Sequence, residues 1–80
     1  MWYTMTKYSF DNDKIVHGPF KTEKEAWNNM EKRADEEYRI DTEENEWDTE
    51  INKNEEIGEI TIKNFFPFCT DVTEFFLFEI

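Results

Sequence analysis

The sequence predicts an α+β domain, one helix laid across an antiparallel sheet in the order β-β-α-β-β-β. Three observations predict it. One stretch alone repeats apolar residues at helical spacing, through Ala26, Trp27, Met30, Ala34 and Tyr38. After that stretch the period changes to two, and before it an aromatic- and Thr-rich run is followed by the turn chemistry of Asp11 to Asp13. The whole chain, residues 1–80, has the length of a single domain.

The elements follow in order. Trp2 to Ser9 is rich in aromatic residues and Thr and reads as a strand. Asp11-Asn12-Asp13 supplies turn chemistry, and Lys14 to His17 returns as the second strand of a hairpin. Gly18-Pro19 is expected to end that strand, because Pro cannot donate to a ladder. Thr22 followed by Glu25 forms a capping box and starts a helix from about Glu23 to about Ile40. Its other faces carry Glu23, Lys24, Glu31, Lys32, Asp35 and Glu36.

After the helix, Glu44, Glu46, Asp48 and Glu50 alternate with Asn45, Trp47, Thr49 and Ile51. This predicts a strand with acids outward and Trp47 and Ile51 inward. Asn52 to Gly58 makes a turn, and Glu59 to Asn64 alternates again through Ile60 and Ile62. Phe65 to Asp71, broken by Pro67, reads as a loop. Val72 to Ile80 is apolar on both faces, the pattern of a central strand covered on both sides.

A chain this short has a marginal core, and small domains often compensate with disulfides or a metal. With one Cys and one His the sequence offers neither. Eight Phe, three Tyr and three Trp supply the bulk for a core instead. No apolar run reaches a membrane-spanning length, and Met1 to Phe10 lacks the pattern of a signal peptide. The expectation is an intact cytoplasmic polypeptide.

A net charge of −11 argues against direct contact with nucleic acid or an anionic membrane, and its self-repulsion keeps a chain soluble, so the expectation is a monomer or at most a weak homodimer. A basic protein is the complementary partner. Lys outnumbers Arg seven to two, which is unlike the Lys-poor surfaces of salt-adapted acidic proteins.

Enzyme readings find little support. Cys69 and His17 are the one conceivable nucleophile and base, yet no motif surrounds either. Cys69 reads as a small hydrophobe in a Phe-rich loop, and His17 as a strand-end residue. With twenty acids, chance pairs of carboxylates carry no signal for acid–base catalysis. Two glycines cannot make a phosphate loop. Calcium loops counted from Asp11 or Asp41 place Val16 or Glu46 where glycine is required. The expectation is therefore a non-enzymatic protein without catalytic residues, cofactor or specific metal.

The acidic run is the candidate site. Nine acids lie between Asp41 and Glu59 against one base, Lys53. On a strand, Glu44, Glu46, Asp48 and Glu50 would recur every ~6.7 Å as a line of negative charge. Glu36, Glu37, Asp41 and Glu43 would widen it. Such a surface can imitate a phosphate backbone and compete for the Lys and Arg of a DNA-binding protein. The alternative is a solvated edge strand whose charge only prevents sheet-to-sheet aggregation. The excess of acids over neighbouring Lys speaks for recognition, although most charged strands are a solvated face and no more.

His17 to Trp27, HGPFKTEKEAW, together with Asp71 to Ile80, DVTEFFLFEI, resembles small acidic proteins of unknown function carried on conjugative elements and phages of low-GC Gram-positive bacteria. The resemblance covers most of the chain and brings no catalytic residue. It implies a mobile-element context, in which small acidic inhibitors of host restriction or CRISPR nucleases occur, some of them imitating DNA. A mobile-element accessory protein whose acidity is only solubilising is the other reading.

Overall fold

The computed structural model describes residues 1–80. Strands β1 (Trp2–Tyr8) and β2 (Lys14–Phe20) form a hairpin, helix α1 (Glu23–Arg39) follows, and a π-helical turn (Ile40–Glu44) extends it. Strands β3 (Asp48–Asn54), β4 (Glu59–Phe65) and β5 (Thr70–Glu79) complete the chain. All pairings are antiparallel, in the spatial order β2-β1-β5-β4-β3. The α+β class and the element order are those that the alternating and helical periods predict. No helix is long and apolar enough to cross a membrane.

The helix lies on one face of this sheet. Ala26, Trp27, Met30 and Ala34 are buried against Ile60, Ile62 and Phe75, with Tyr38, Ile51 and Leu77 packed around them. Two of the four helix residues are alanines, so α1 sits close to the strands. Its start is fixed by Thr22, whose Oγ1 accepts from the Glu25 amide at 3.1 Å. Glu25 reaches back one residue further than a standard capping box, accepting from the Lys21 amide at 3.3 Å.

Polar residues also lie under the helix. Thr4, Thr6 and Thr73 are buried on the covered face. The Arg33 guanidinium answers two of them, donating to Thr4 Oγ1 and to Thr6 Oγ1 at 3.4 Å, while its Nε donates to Asn29. A helix cation thus satisfies strand hydroxyls that would otherwise be buried without partners.

Several expectations are corrected. Gly18-Pro19 does not end the second strand. The peptide is cis, and β2 continues to Phe20, because β2 is an edge and Pro19 has no neighbour to which an amide is owed. Gly18 is required there: its φ is 137°, and a Cβ would stand 2.7 Å from the Tyr3 ring. His17 is accordingly inside a strand, opposite Thr4, rather than at a strand end.

β5 is central, as its composition predicts, but only its Thr73, Phe75 and Leu77 side meets the helix. Val72, Glu74, Phe76 and Phe78 are half-buried on a face that no element covers. One helix cannot cover two faces, and the chain has only one. Cys69, expected to pack as a hydrophobe, is exposed in the tight β4–β5 turn, where Phe66 N–H donates to its carbonyl.

Candidate functional site

Only the second half of the acidic segment, from Asp48, forms the strand that its alternation predicts. α1 runs to Arg39, and Ile40–Glu44 then continues as a π-helical turn in which the Asn45 amide donates to the Ile40 carbonyl at 2.9 Å. Two side chains favour the wider turn. Thr42 Oγ1 donates to the Tyr38 carbonyl at 2.8 Å and competes with the regular ladder. Asp41 turns inward, where Asn64 Nδ2 donates to its carboxylate at 3.0 Å. The chain then reverses through Glu46, in the left-handed region at φ 56°, and β3 begins only at Asp48.

The predicted line of charge is therefore broken. Glu44 belongs to the π-turn and Glu46 to the reversal, and only Asp48 and Glu50 share a strand face. Trp47, predicted to point inward, is 42% exposed before the strand starts, its ring edge-on to Phe66 at 5.2 Å. Ile51 does pack against the core. Helical continuation won over strand alternation because the Arg39, Thr42 and Asp41 side chains each find a partner in the turned form.

The eight acids divide into three groups. Glu36, Glu43 and Glu44 surround Arg39, at 2.8, 3.5 and 3.6 Å. This guanidinium holds the Glu36 carboxyl below the usual glutamate range, first through its hydrogen bond and then through its charge. All four side chains are open to water, so the cluster is a local neutralisation rather than a strong clamp.

Glu37 and Asp41 point the other way. Asp41 is 7% exposed, and its partner Asn64 also donates to Thr49 Oγ1 at 3.0 Å, tying the π-turn to β4 and β3. Glu37 is half-buried beside it. Burial, then the neighbouring Asp41 carboxylate, raises its pKa to about 7. These two acids are parts of the fold, and a partner does not reach Asp41.

Glu46, Asp48 and Glu50 form the third group. They are exposed and make no ion pair. Lys53, the single base of the run, reaches over the helix instead, 2.7 Å from Asp35 and 3.1 Å from Glu31. From Glu36 to Glu50 there are eight carboxylates and one guanidinium, a formal charge of −7. The site is an acidic corner where the helix end meets edge strand β3.

Sequence reasoning missed Arg39, although its spacing from Glu36 and Glu43 is that of helix-surface pairs once the helix is allowed past Ile40. It also missed Asn64, whose signal is a polar residue at the position where Ile60 and Ile62 set the inward parity. His17 and Cys69 do not assemble into a site: His17 is on edge strand β2 and Cys69 in the β4–β5 turn. Burial, aided by the Arg33 charge, lowers the His17 pKa, and its Nδ1 is buried without a partner.

No protein-family model, curated protein or solved structure matches this chain.

Proposed function

We propose that the protein is a non-enzymatic, cytoplasmic interaction domain that binds a basic protein through the acidic corner, and that it competes with nucleic acid for that partner. The observation that carries this reading is the set of three unpaired, exposed acids, Glu46, Asp48 and Glu50, within a segment of formal charge −7. A surface of this kind attracts Lys- and Arg-rich sites that otherwise hold phosphates, and its affinity falls with salt. Glu36, Glu43 and Glu44 form its rim, partly offset by Arg39. The breaks at Glu44 and Glu46 remove regular phosphate-like spacing from the argument, and what remains is charge density at one corner. The resemblance to mobile-element proteins favours a host nuclease or another DNA-binding defence protein as the partner class.

A second reading has its own observation. Arg39 offsets three of the eight acids, as on a surface whose charge serves solubility. In that reading the protein is a mobile-element accessory factor with no partner at this corner.

Capture from a bacterial lysate at low and at high salt separates the two. The interaction reading expects a DNA-binding protein to be retained at low salt, released by salt and displaced by duplex DNA. The pair Glu46→Lys and Asp48→Lys should abolish capture with the circular dichroism spectrum unchanged. Capture indifferent to that pair, or no specific partner, leaves solubility as the function of the charge.

A further inference from the structure

We infer that the uncovered face of the sheet is where a second copy of this chain packs. Strand register puts Tyr3, Met5 and Lys7 of β1 beside Phe78, Phe76 and Glu74 of β5 on this face. Val16 stands opposite Met5 on β2 and is 53% exposed. The Tyr3 and Phe78 rings stack at 5.7 Å, and the Lys7 ammonium lies 5.8 Å from the centre of the Phe76 ring. A contiguous aromatic and aliphatic patch in the middle of a sheet marks a contact surface.

Charge identifies the occupant. The strands present three bases on this face, Lys7, Lys14 and Lys63, and four acids, Asp48, Glu50, Glu59 and Glu74. Three minus four is −1, so −10 of the chain's −11 lies elsewhere. It is the surface on which two such acidic chains can meet with little repulsion.

The charges are also sorted. β1 and β2 carry Lys7 and Lys14 and no acid on this face, whereas β3 and β4 carry Asp48, Glu50 and Glu59 against Lys63 alone. A two-fold axis along β5 lays the basic half of one copy over the acidic half of the other, and brings Phe76 and Phe78 of both copies together. That is an isologous, self-complementary contact with the aligned geometry of two packed sheets. Glu74 near the axis sits opposite Lys7 of its own chain, which supplies its counter-charge. Five strands of about seven residues give a face of about 24 by 23 Å from standard spacings. Two such faces bury on the order of 1,200 Å², the lower end of the range for specific interfaces, so the dimer is weak and the monomer is the form that presents Asp48 and Glu50 at the acidic corner.

Sedimentation equilibrium of the whole chain between about 10 µM and about 1 mM tests this. A monomer–dimer equilibrium is expected inside that range. Val16→Glu, on an exposed edge position that the fold tolerates, should weaken the dimer by at least about tenfold, and Phe76→Glu by more. Lys14→Glu and Glu50→Lys should each weaken it, and mixing those two variants should restore it as a heterodimer, because the axis lays β2 over β3 of the other copy and sets Lys14 over Asn52, one same-face position from Glu50. A chain that stays monomeric throughout, a dimer unaffected by Val16→Glu, or a Lys14→Glu and Glu50→Lys mixture no tighter than either variant alone overturns the inference.

Discussion

The two faces of this sheet are built from the same five strands and both carry aromatic side chains, yet the helix covers only one of them. Beneath α1 stand Thr4, Thr6, Thr73 and Asn64 among Ile60, Ile62 and Phe75. On the other side stand Tyr3, Met5, Val16, Phe76 and Phe78. Both faces carry aromatic and aliphatic residues, so the presence of an aromatic cluster does not by itself mark the face that the helix covers. What selects the covered face is fit and satisfaction: alanines that let the helix approach, and Arg33 and Asn64 placed to answer buried polar atoms.

Adjacent residues of β5 give the sharpest way to break this comparison. Phe75→Ala, on the covered face, is expected to cost about 3–5 kcal/mol of unfolding free energy, the range for a truncated core aromatic. Phe76→Ala, measured in urea at a concentration where the chain is monomeric, should cost clearly less. Equal costs would show that the two faces are equally sealed in the monomer and would remove the distinction.

The polar side of the covered face is tested next. Asn64→Ala leaves the Asp41 carboxylate buried without its donor and should cost about 1–3 kcal/mol, with Asn64→Gln recovering little because the amide is displaced by a methylene. Denaturant midpoints of the two variants decide this. A near-neutral Asn64→Ala would mean that water, rather than Asn64, satisfies Asp41.

Glu37 gives a pH signature. Its native pKa is raised from 4.5 to about 7 by burial and by Asp41. Below about pH 4.5 both folded and unfolded chains hold the proton. Between there and pH 7 the folded chain binds a proton that the unfolded chain releases, so stability falls as pH rises through this window. Glu37→Gln should therefore raise stability at pH 8 by about 1 kcal/mol, after allowance for solvent screening, and change nothing at pH 4. Thermal melts at the two pH values check both statements, and Asp41→Asn should shift the window downward.

The smallest effect is expected at the edge. Lys53 holds β3 to the helix through Asp35 and Glu31 on a largely solvated surface. Lys53→Met should cost under about 1 kcal/mol in low salt and less in high salt. A larger loss would mean that the edge of the covered face, and not its centre, seats the helix.

The legible parts of the sequence were those with a local period. Thr22 and the stripe from Ala26 to Tyr38 mark the helix, and the alternation through Ile60 and Ile62 marks a strand, because propensity, capping and pattern agree there. The acidic segment was misread because Glu44 to Ile51 satisfies period two equally well when half of it is a turn. Only the partners of Asp41, Thr42 and Arg39 distinguish the two, and these lie in space or on the helix rather than within the window that a period samples. Of the eight acids named from the sequence, Glu46, Asp48 and Glu50 stand exposed and unpaired, Glu36, Glu43 and Glu44 share Arg39, and Glu37 and Asp41 turn into the fold. Composition alone could not sort them, because a carboxylate has the same sequence signature whether it faces water or an asparagine.

By itself, then, the sequence determined an acidic α+β domain with one helix between a hairpin and three further strands, since helix and strand periods are local properties of the chain. The tertiary structure decided which face of the sheet the helix takes, where β3 begins, and which acids remain free. Those outcomes depend on contacts between residues far apart in the chain, Arg33 with Thr4, Asn64 with Asp41, Lys53 with Asp35, and no local pattern encodes such a contact.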